Sequence, residues 1–124
     1  MVTVELTDEN FDETLRTADM VLVDFWAAWC GPCRRFGPVF ERVAERHGDI
    51  VFGKVDTENQ PELAASFQIA SIPTLMVVRD GIVLYAQAGA LRERSLENLI
   101  TQARLVDMDE VRTALAEQTH GRRT

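Results

Sequence analysis

Residues 21–33, VLVDFWAAWCGPC, decide the fold that we predict for this chain. The stretch begins as an apolar run that only Asp24 interrupts. A run that is apolar on both alternating faces is typical of a central strand covered by helices on both sides. It ends in the segment CGPC, residues 30–33, which contains both cysteines of the protein. The stretch therefore predicts a buried strand that delivers two thiols to the start of a helix.

The rest of the chain supplies alternating strand and helix patterns. We predict strands at residues 2–6, 20–26, 50–56, 74–79 and 82–88, and helices that contain residues 11–15, 36–47, 61–67 and 95–103. The second of these helices should end in a glycine stop at Gly48. Asp80-Gly81 is a hairpin turn signal, so the last two strands should be antiparallel. This order predicts an α/β fold with a central mixed five-stranded sheet flanked by helices.

The composition limits the classes of partner. The chain has 124 residues, 46% hydrophobic and 27% charged, which is typical of one water-soluble domain. Its net charge of −7 would repel nucleic acid and anionic membrane surfaces. The sequence shows no targeting pattern and no apolar run near the roughly 20 residues that span a bilayer. We therefore expect a cytoplasmic protein with no nucleic-acid or membrane partner. In that reducing compartment, paired cysteines favour catalysis or metal binding over a permanent disulfide.

The two cysteines suit thiol–disulfide exchange. A helix N-terminus favours a thiolate, the nucleophile in this chemistry, through its unpaired N–H groups and the positive end of the helix dipole. Pro32 suits the first helical turn, where no N–H is needed, and it restricts how the two sulfurs move. We predict that Cys30, on the exposed entry side, attacks a target disulfide. Cys33, one turn into the helix, should then resolve the mixed disulfide.

Two other uses of this cysteine spacing compete with exchange. A structural disulfide is one, although closing so short a loop constrains the unfolded chain little. A zinc site is the other, but zinc needs about four ligands. The chain has no third cysteine, and only His47 and His120 remain as histidine ligands. Redox chemistry with no metal is therefore the preferred interpretation.

Asp24 is an independent indication of chemistry at this position. A carboxylate buried in a central strand loses hydration, so its pKa should rise unless a cation or hydrogen bonds compensate. It could exchange a proton with a cysteine at the end of its own strand, or it could be a structural acid with a satisfied partner. Lys54, the single lysine of the chain, could be the cation that pairs with Asp24. It could equally be a chance survivor in an arginine-rich composition.

Residues 24–33, DFWAAWCGPC, resemble the active-site strand and loop of the thioredoxin family. The resemblance covers residues 2 to about 104. Outside the loop, matching residues lie at Pro38, Lys54, Ile72-Pro73-Thr74, Gly81 and Gly89. The resemblance implies a thioredoxin fold over residues 1–104 and a general protein-disulfide reductase, a thiol–disulfide oxidoreductase that carries electrons.

The resemblance also implies a site that the residue pattern alone does not give. The Ile72-Pro73 peptide should be cis and face the cysteines, and a flat apolar patch should receive an extended target segment. The members of this patch are Trp29, Gly31, Pro32, Ile72, Pro73, Ala88 and Gly89. The catalytic residues should be Cys30, Cys33, Asp24 and Lys54.

The same resemblance implies how the protein is recycled. Electrons should come from NADPH through a flavoprotein thioredoxin reductase, with no cofactor bound to this chain. Its partners should be that reductase and disulfide-containing target proteins, and we expect a monomer.

Two rival functions stay open. One is a binding module whose cysteines are incidental, and the other is a dithiol oxidant or isomerase, which the Gly-Pro pair between the cysteines disfavours.

Two features depart from the family pattern. Arg34 stands where many members have lysine, and Ala28 replaces a frequent acid or lysine, so partner preference and redox potential could differ. Residues 105–124 extend beyond the usual end, and in this segment Met108, Val111 and Leu115 share one helical face. We predict an extra C-terminal helix to about residue 118, followed by a solvated tail. The helix could be an inert appendage or a partner-binding element.

Overall fold

The structure, a computed structural model, describes the backbone of residues 2–123 and the side chains of residues 2–119. A five-stranded sheet has helices packed on both faces. Its strands are β1 (Thr3–Glu5), β2 (Met20–Trp26), β3 (Val51–Asp56), β4 (Thr74–Arg79) and β5 (Ile82–Ala88). The helices are α1 (Phe11–Thr17), α2 (Gly31–Glu45), α3 (Pro61–Ser66), α4 (Glu93–Leu105) and α5 (Met108–Arg123). None of these helices, in the part of the chain described, is long and apolar enough to cross a membrane.

The strand order is β1-β3-β2-β4-β5, so β2 lies at the centre of the sheet. β3 pairs in parallel with β1 and β2, whereas β4 runs antiparallel to β2 and β5, which confirms the predicted mixed sheet. β2 is buried at every residue before Trp26, as its apolar run predicted. Asp80 and Gly81 join β4 to β5 with φ angles of 54° and 76°, the positive values that a tight hairpin turn requires.

Two apolar cores lie on opposite faces of the sheet, because successive side chains of a strand point to opposite sides. Helices α2 and α4 pack on the face that carries Leu22 of β2, whereas α1 and α3 pack on the face that carries Val21 and Val23. Gly53 of β3 leaves room for Leu6, since a Cβ atom at Gly53 would lie 2.7 Å from Leu6 Cγ. The two cores together bury β2 and fix the direction in which it leads the chain into α2.

The end of α2 differs from the sequence prediction because tertiary contacts set it. α2 ends at Glu45 rather than near His47, and Gly48 is not in the left-handed conformation, so the predicted glycine stop is wrong. Contacts with α4 hold the residues that follow α2. Arg46 and His47 both bond to Glu97 of α4, at 3.0 and 2.6 Å.

The C-terminal extension forms the predicted extra helix, at different bounds. α5 begins at Met108 and runs to Arg123, whereas the apolar spacing placed its end near Gln118. Asp107 caps the start of the helix, since its Oδ1 accepts hydrogen bonds from the backbone N–H groups of Asp109 and Glu110, at 3.0 and 3.2 Å. The predicted solvated tail, residues 120–124, involves side chains outside the described residues.

Three contacts anchor α5 to the domain. Met108 is buried, with 5% of its surface exposed. Arg79 Nη1 donates a hydrogen bond to Val106 O at 2.7 Å, which holds the connection between α4 and α5 against the end of β4. Arg112 pairs with Asp80 of the hairpin turn at 3.1 Å. The first turns of α5 are therefore part of the packed structure.

Met108→Ala should lower the free energy of unfolding by about 2 kcal/mol, because it removes a buried side chain and leaves a cavity. Leu105→Ala is the matched control: Leu105 is 73% exposed. Its replacement should change stability by less than about 0.5 kcal/mol. Urea unfolding of both variants measures the difference. Equal effects would show that Met108 does not anchor the extension.

Candidate active site

The two cysteines lie where β2 passes into α2. β2 ends at Trp26, a short turn follows, and Cys30 is the N-cap residue of α2. Cys30 and Cys33 are joined by a disulfide bond, with 5.2 Å between their Cα atoms. Gly31 and Pro32 open the helix, where a proline removes no hydrogen bond. The structure therefore holds the oxidised form of a dithiol at the N-terminus of a 15-residue helix.

The two sulfurs differ in their hydrogen bonds rather than in their exposure. Both cysteines are buried, with 4% of their surface exposed. The prediction that Cys30 lies on an exposed side of the site is therefore wrong. Cys30 is buried because the loop before β4, which contains Ile72 and Pro73 and which we call the covering loop, lies against it. Ile72 O of this loop is 3.6 Å from Cys30 Sγ. Cys30 Sγ accepts a hydrogen bond from the Cys33 N–H at 3.3 Å. In the reduced protein, this N–H group and the positive end of the helix dipole would stabilise negative charge on Cys30 Sγ.

The covering loop joins three segments of the chain at Cys30. Ile72-Pro73 is a cis peptide, as the family resemblance implied. The Gly89 N–H donates a hydrogen bond to Pro73 O at 2.8 Å, which ties the end of β5 to the same loop. Gly89 has a φ of 119°, a conformation that favours glycine. Segments that are distant in sequence therefore meet around the disulfide.

The apolar patch implied by the resemblance is only partly exposed. Its largest exposed side chain is Trp29, at 66%. The other exposed members are Pro32, Ala88 and Gly89, the half-buried ones are Gly31 and Ile72, and the buried one is Pro73. Pro73 is covered because it leads directly into the buried strand β4. Pro73 is therefore buried and does not belong to the exposed surface of the patch, in contrast to what the resemblance implied.

Glu58 is a neighbour of the patch that the sequence did not predict. Trp29 Nε1 donates a hydrogen bond to Glu58 Oε1 at 2.5 Å. Because β3 runs parallel to β2, the residues after both strands lie at the same edge of the sheet. The signal that the sequence offered for this contact was an acidic residue shortly after Asp56, at the end of β3. The hydrogen bond orients the exposed indole beside the disulfide.

Asp24 lies at the centre of the sheet and is fully buried. Neither of its carboxylate oxygens has a hydrogen-bond partner among the described residues. Burial raises the pKa of Asp24 to about 7, although the charge of Lys54 acts to lower it. The alternative of a structural acid satisfied by a protein partner therefore finds no support. A carboxyl group with this pKa can take up and release a proton near neutral pH.

Lys54 lies beside Asp24 in the sheet register but does not form the ion pair that the sequence suggested. Its ammonium lies 5.0 Å from the centre of the Trp26 ring, within range of a cation–π interaction. The side chain lines a cleft of about 260 Å³ together with Glu41 and Asp56. The charge of Lys54 therefore acts on Asp24 through space, while the ammonium itself lies over the Trp26 ring.

Comparison with known proteins identifies the family. The family model for thioredoxin matches residues 2–102. The chain belongs to the thioredoxin family. A Streptomyces coelicolor protein named "Putative thioredoxin 2" is 63% identical over 116 residues, which are 94% of this chain and 87% of the relative. The thioredoxin of Mycobacterium tuberculosis is 43% identical over 96 residues, 76% of this chain and 83% of the relative. Among solved structures, Plasmodium falciparum thioredoxin has a TM-score of 0.74 at 32% identity, over 81% of this chain and 97% of that one.

Thioredoxins are disulfide oxidoreductases, and their Cys-X-X-Cys motif lowers the pKa of a cysteine. No cluster of three or more His, Cys, Asp or Glu side chains suited to a metal ion occurs among the described residues. The Streptomyces alignment leaves out only eight of the 124 residues, so it continues well into the C-terminal extension. The thioredoxin family model stops at residue 102. Helix α5 therefore lies beyond the family model, and at least its first half aligns with the Streptomyces relative.

Asp24→Asn should stabilise the oxidised thioredoxin domain at pH values above the pKa of Asp24. Because this pKa is raised in the folded state, folding favours the protonated form, and wild-type stability falls as pH rises between about 4 and about 7. At about pH 8 the variant should be more stable by roughly 2–4 kcal/mol, and at about pH 4 the difference should nearly vanish. Denaturant unfolding at the two pH values measures it. A gain of equal size at both would contradict a raised pKa.

Proposed function

We propose that this chain is a general protein-disulfide reductase that works by dithiol–disulfide exchange. The observation that carries the proposal is the Cys30–Cys33 disulfide at the N-terminus of α2, with Ile72 O 3.6 Å from Cys30 Sγ. A disulfide at a helix start, beside a partly exposed apolar patch, is suited to repeated opening and closing by thiolates. Membership in the thioredoxin family supports the same reaction.

The reaction begins with the reduced dithiol. The Cys30 thiolate attacks one sulfur of a target disulfide, so that a Cys30–target bond forms, the target S–S bond breaks and the other target sulfur leaves as a thiolate. The Cys33 thiolate then attacks Cys30 Sγ, which closes the Cys30–Cys33 bond and releases the second target thiolate. Two electrons pass to the target, and its two thiolates are protonated from solvent or from the site.

Asp24 is the proposed proton acceptor for Cys33, which must lose its proton before it attacks. Burial raises the pKa of Asp24 to about 7, so both of its forms are available near neutral pH. Asp24 lies on the strand that leads to the cysteines, and a water molecule would carry the proton between the two groups. Lys54 favours the ionised form of Asp24 through its charge. The two residues together would set the pH at which resolution is fast.

The oxidised protein would be recycled by NADPH through a flavoprotein thioredoxin reductase. That reductase and disulfide-containing target proteins are the proposed partners, and the two sulfurs carry the electrons without a bound cofactor. We assign residues 1–104 to the catalytic domain and residues 105–124 to a helical extension outside the reaction. The protein is proposed to act as a monomer in the cytoplasm.

Cys30→Ser should abolish NADPH-coupled insulin reduction in the presence of a thioredoxin reductase, because the attacking thiolate is missing. Cys33→Ser keeps the attacking sulfur but cannot resolve, so it should accumulate a mixed disulfide that mass spectrometry detects at Cys30. Arg16→Gln, an exposed change in the last turn of α1, is the control and should reduce insulin at the wild-type rate.

The same assay separates the rival functions. Insulin reduction that survives Cys30→Ser would rule out Cys30 as the attacking residue, and a cellular role that survives the change would favour a binding module. Equilibration of the Cys30–Cys33 pair with a glutathione buffer tests the other rival. A potential more oxidising than the glutathione pool would replace the reductase with an oxidant or isomerase.

Asp24→Asn should slow the resolving step by about 10-fold or more at neutral pH, because asparagine cannot accept the proton of Cys33. The first attack, by Cys30, should change much less. In the wild type, resolution should become faster as pH rises through the pKa of Asp24, about 7, and the variant should lack this step. Stopped-flow fluorescence of mixed-disulfide decay measures both phases. Asp19→Asn, at the opposite end of β2, is the control, and unchanged kinetics in Asp24→Asn would leave Asp24 without a catalytic role.

A further inference from the structure

Two exposed arginines, Arg34 and Arg35, follow the second cysteine at the start of α2. Arg35 lies four residues after Gly31, and helical side chains point back toward the N-terminus, so its guanidinium reaches the loop beside Cys30. Arg35 Nη1 is 3.9 Å from the position that a Cβ atom of Gly31 would take. Arg34 Nη1 donates a hydrogen bond to Ala28 O at 3.1 Å. The two positive charges therefore flank the loop that carries the attacking sulfur.

Neither arginine has a carboxylate partner among the described residues. Most arginines that join elements of this structure do have one. These paired arginines are Arg42, Arg46, Arg104 and Arg112. The hydrogen bond of Arg34 within the described part of the chain goes to a carbonyl and leaves guanidinium donors available. In a chain with a net charge of −7, the disulfide is thus bordered by two cations that pair with no carboxylate of the described residues.

This arrangement does not serve the stability of α2. The positive end of a helix dipole favours acidic side chains in the first turn, and α2 has none there. Arg34 and Arg35 instead add positive charge next to that positive end. A combined field of this kind attracts a partner that carries negative charge close to the sulfur under attack.

We propose that Arg34 and Arg35 select target disulfides that are flanked by carboxylates, so that the preferred substrates are acidic segments of proteins. This inference rests on the proposed disulfide exchange at Cys30. A guanidinium can bind a carboxylate through two parallel hydrogen bonds, and the exposed Trp29 offers apolar contact to the rest of the segment. Glu58, which accepts the hydrogen bond of the Trp29 indole, repels a second carboxylate at that position. The acidic residues of a bound segment therefore lie on the α2 side.

Two synthetic peptide disulfides test the proposal, identical except for glutamates or lysines beside the cysteines. The measurement is kcat/KM for each peptide at low ionic strength, and the readout is the ratio of the two values. The wild type should prefer the acidic peptide by roughly 10-fold, and each of Arg34→Gln and Arg35→Gln should reduce that preference by about 3- to 5-fold. Added salt should weaken it in the wild type, because these charges are exposed.

Arg35→Lys and Arg16→Gln are the controls. Lysine keeps the charge but cannot form the two parallel hydrogen bonds to a carboxylate, so Arg35→Lys should keep part of the preference. Arg16 is also exposed, lies in the last turn of α1 and has no carboxylate partner among the described residues, so Arg16→Gln makes the same change in net charge away from the disulfide. It should keep the full preference.

Three outcomes decide the matter. A ratio that falls in Arg34→Gln and Arg35→Gln but not in Arg16→Gln supports selection by these arginines. Equal losses on both peptides with an unchanged ratio would overturn it and assign the arginines to the reactivity of Cys30. Reduction of neither peptide by the wild type would instead reject the proposed disulfide exchange itself.

Discussion

The burial of β2 on both faces is the constraint on which the rest of the structure depends. Helices α1 and α3 cover one face and α2 and α4 cover the other, so the strand must be apolar and its direction is fixed. A strand fixed in this way places the start of α2, and with it both sulfurs, at a defined point on the edge of the sheet. The same burial raises the pKa of Asp24. The position of the thiols and the raised pKa of Asp24 thus have one physical cause.

The sequence predicts best the elements whose signals are local. β2, β4 and β5 have the predicted bounds, because continuous apolar runs and the Asp80-Gly81 turn leave few alternatives. The end of α2 and the start of α4 were misplaced by about two residues, which is typical of element boundaries. Arg46 bonds to Glu93 and Glu97, which are 47 and 51 residues away along the chain. Local spacing carries no information about partners so distant.

The site divides in the same way. The cysteines and the buried acid are unusual residues in their setting, so the sequence alone located them. The cis peptide and the patch came only from the family resemblance, because they depend on how separate segments meet. Lys54 was placed beside Asp24 correctly, yet its ammonium turns to the Trp26 ring. Glu58 was missed because its hydrogen bond to Trp29 joins side chains 29 residues apart.

The near-complete covering of both cysteines has a consequence for which disulfides can react. Only 4% of the surface of Cys30 is exposed, and the proposed exchange requires direct contact between the attacking and target sulfurs. A target must therefore present its disulfide on an extended segment that can leave its own surface. In the proposed exchange, disulfides buried inside a compact core would not reach Cys30, whereas those on exposed, extended segments would.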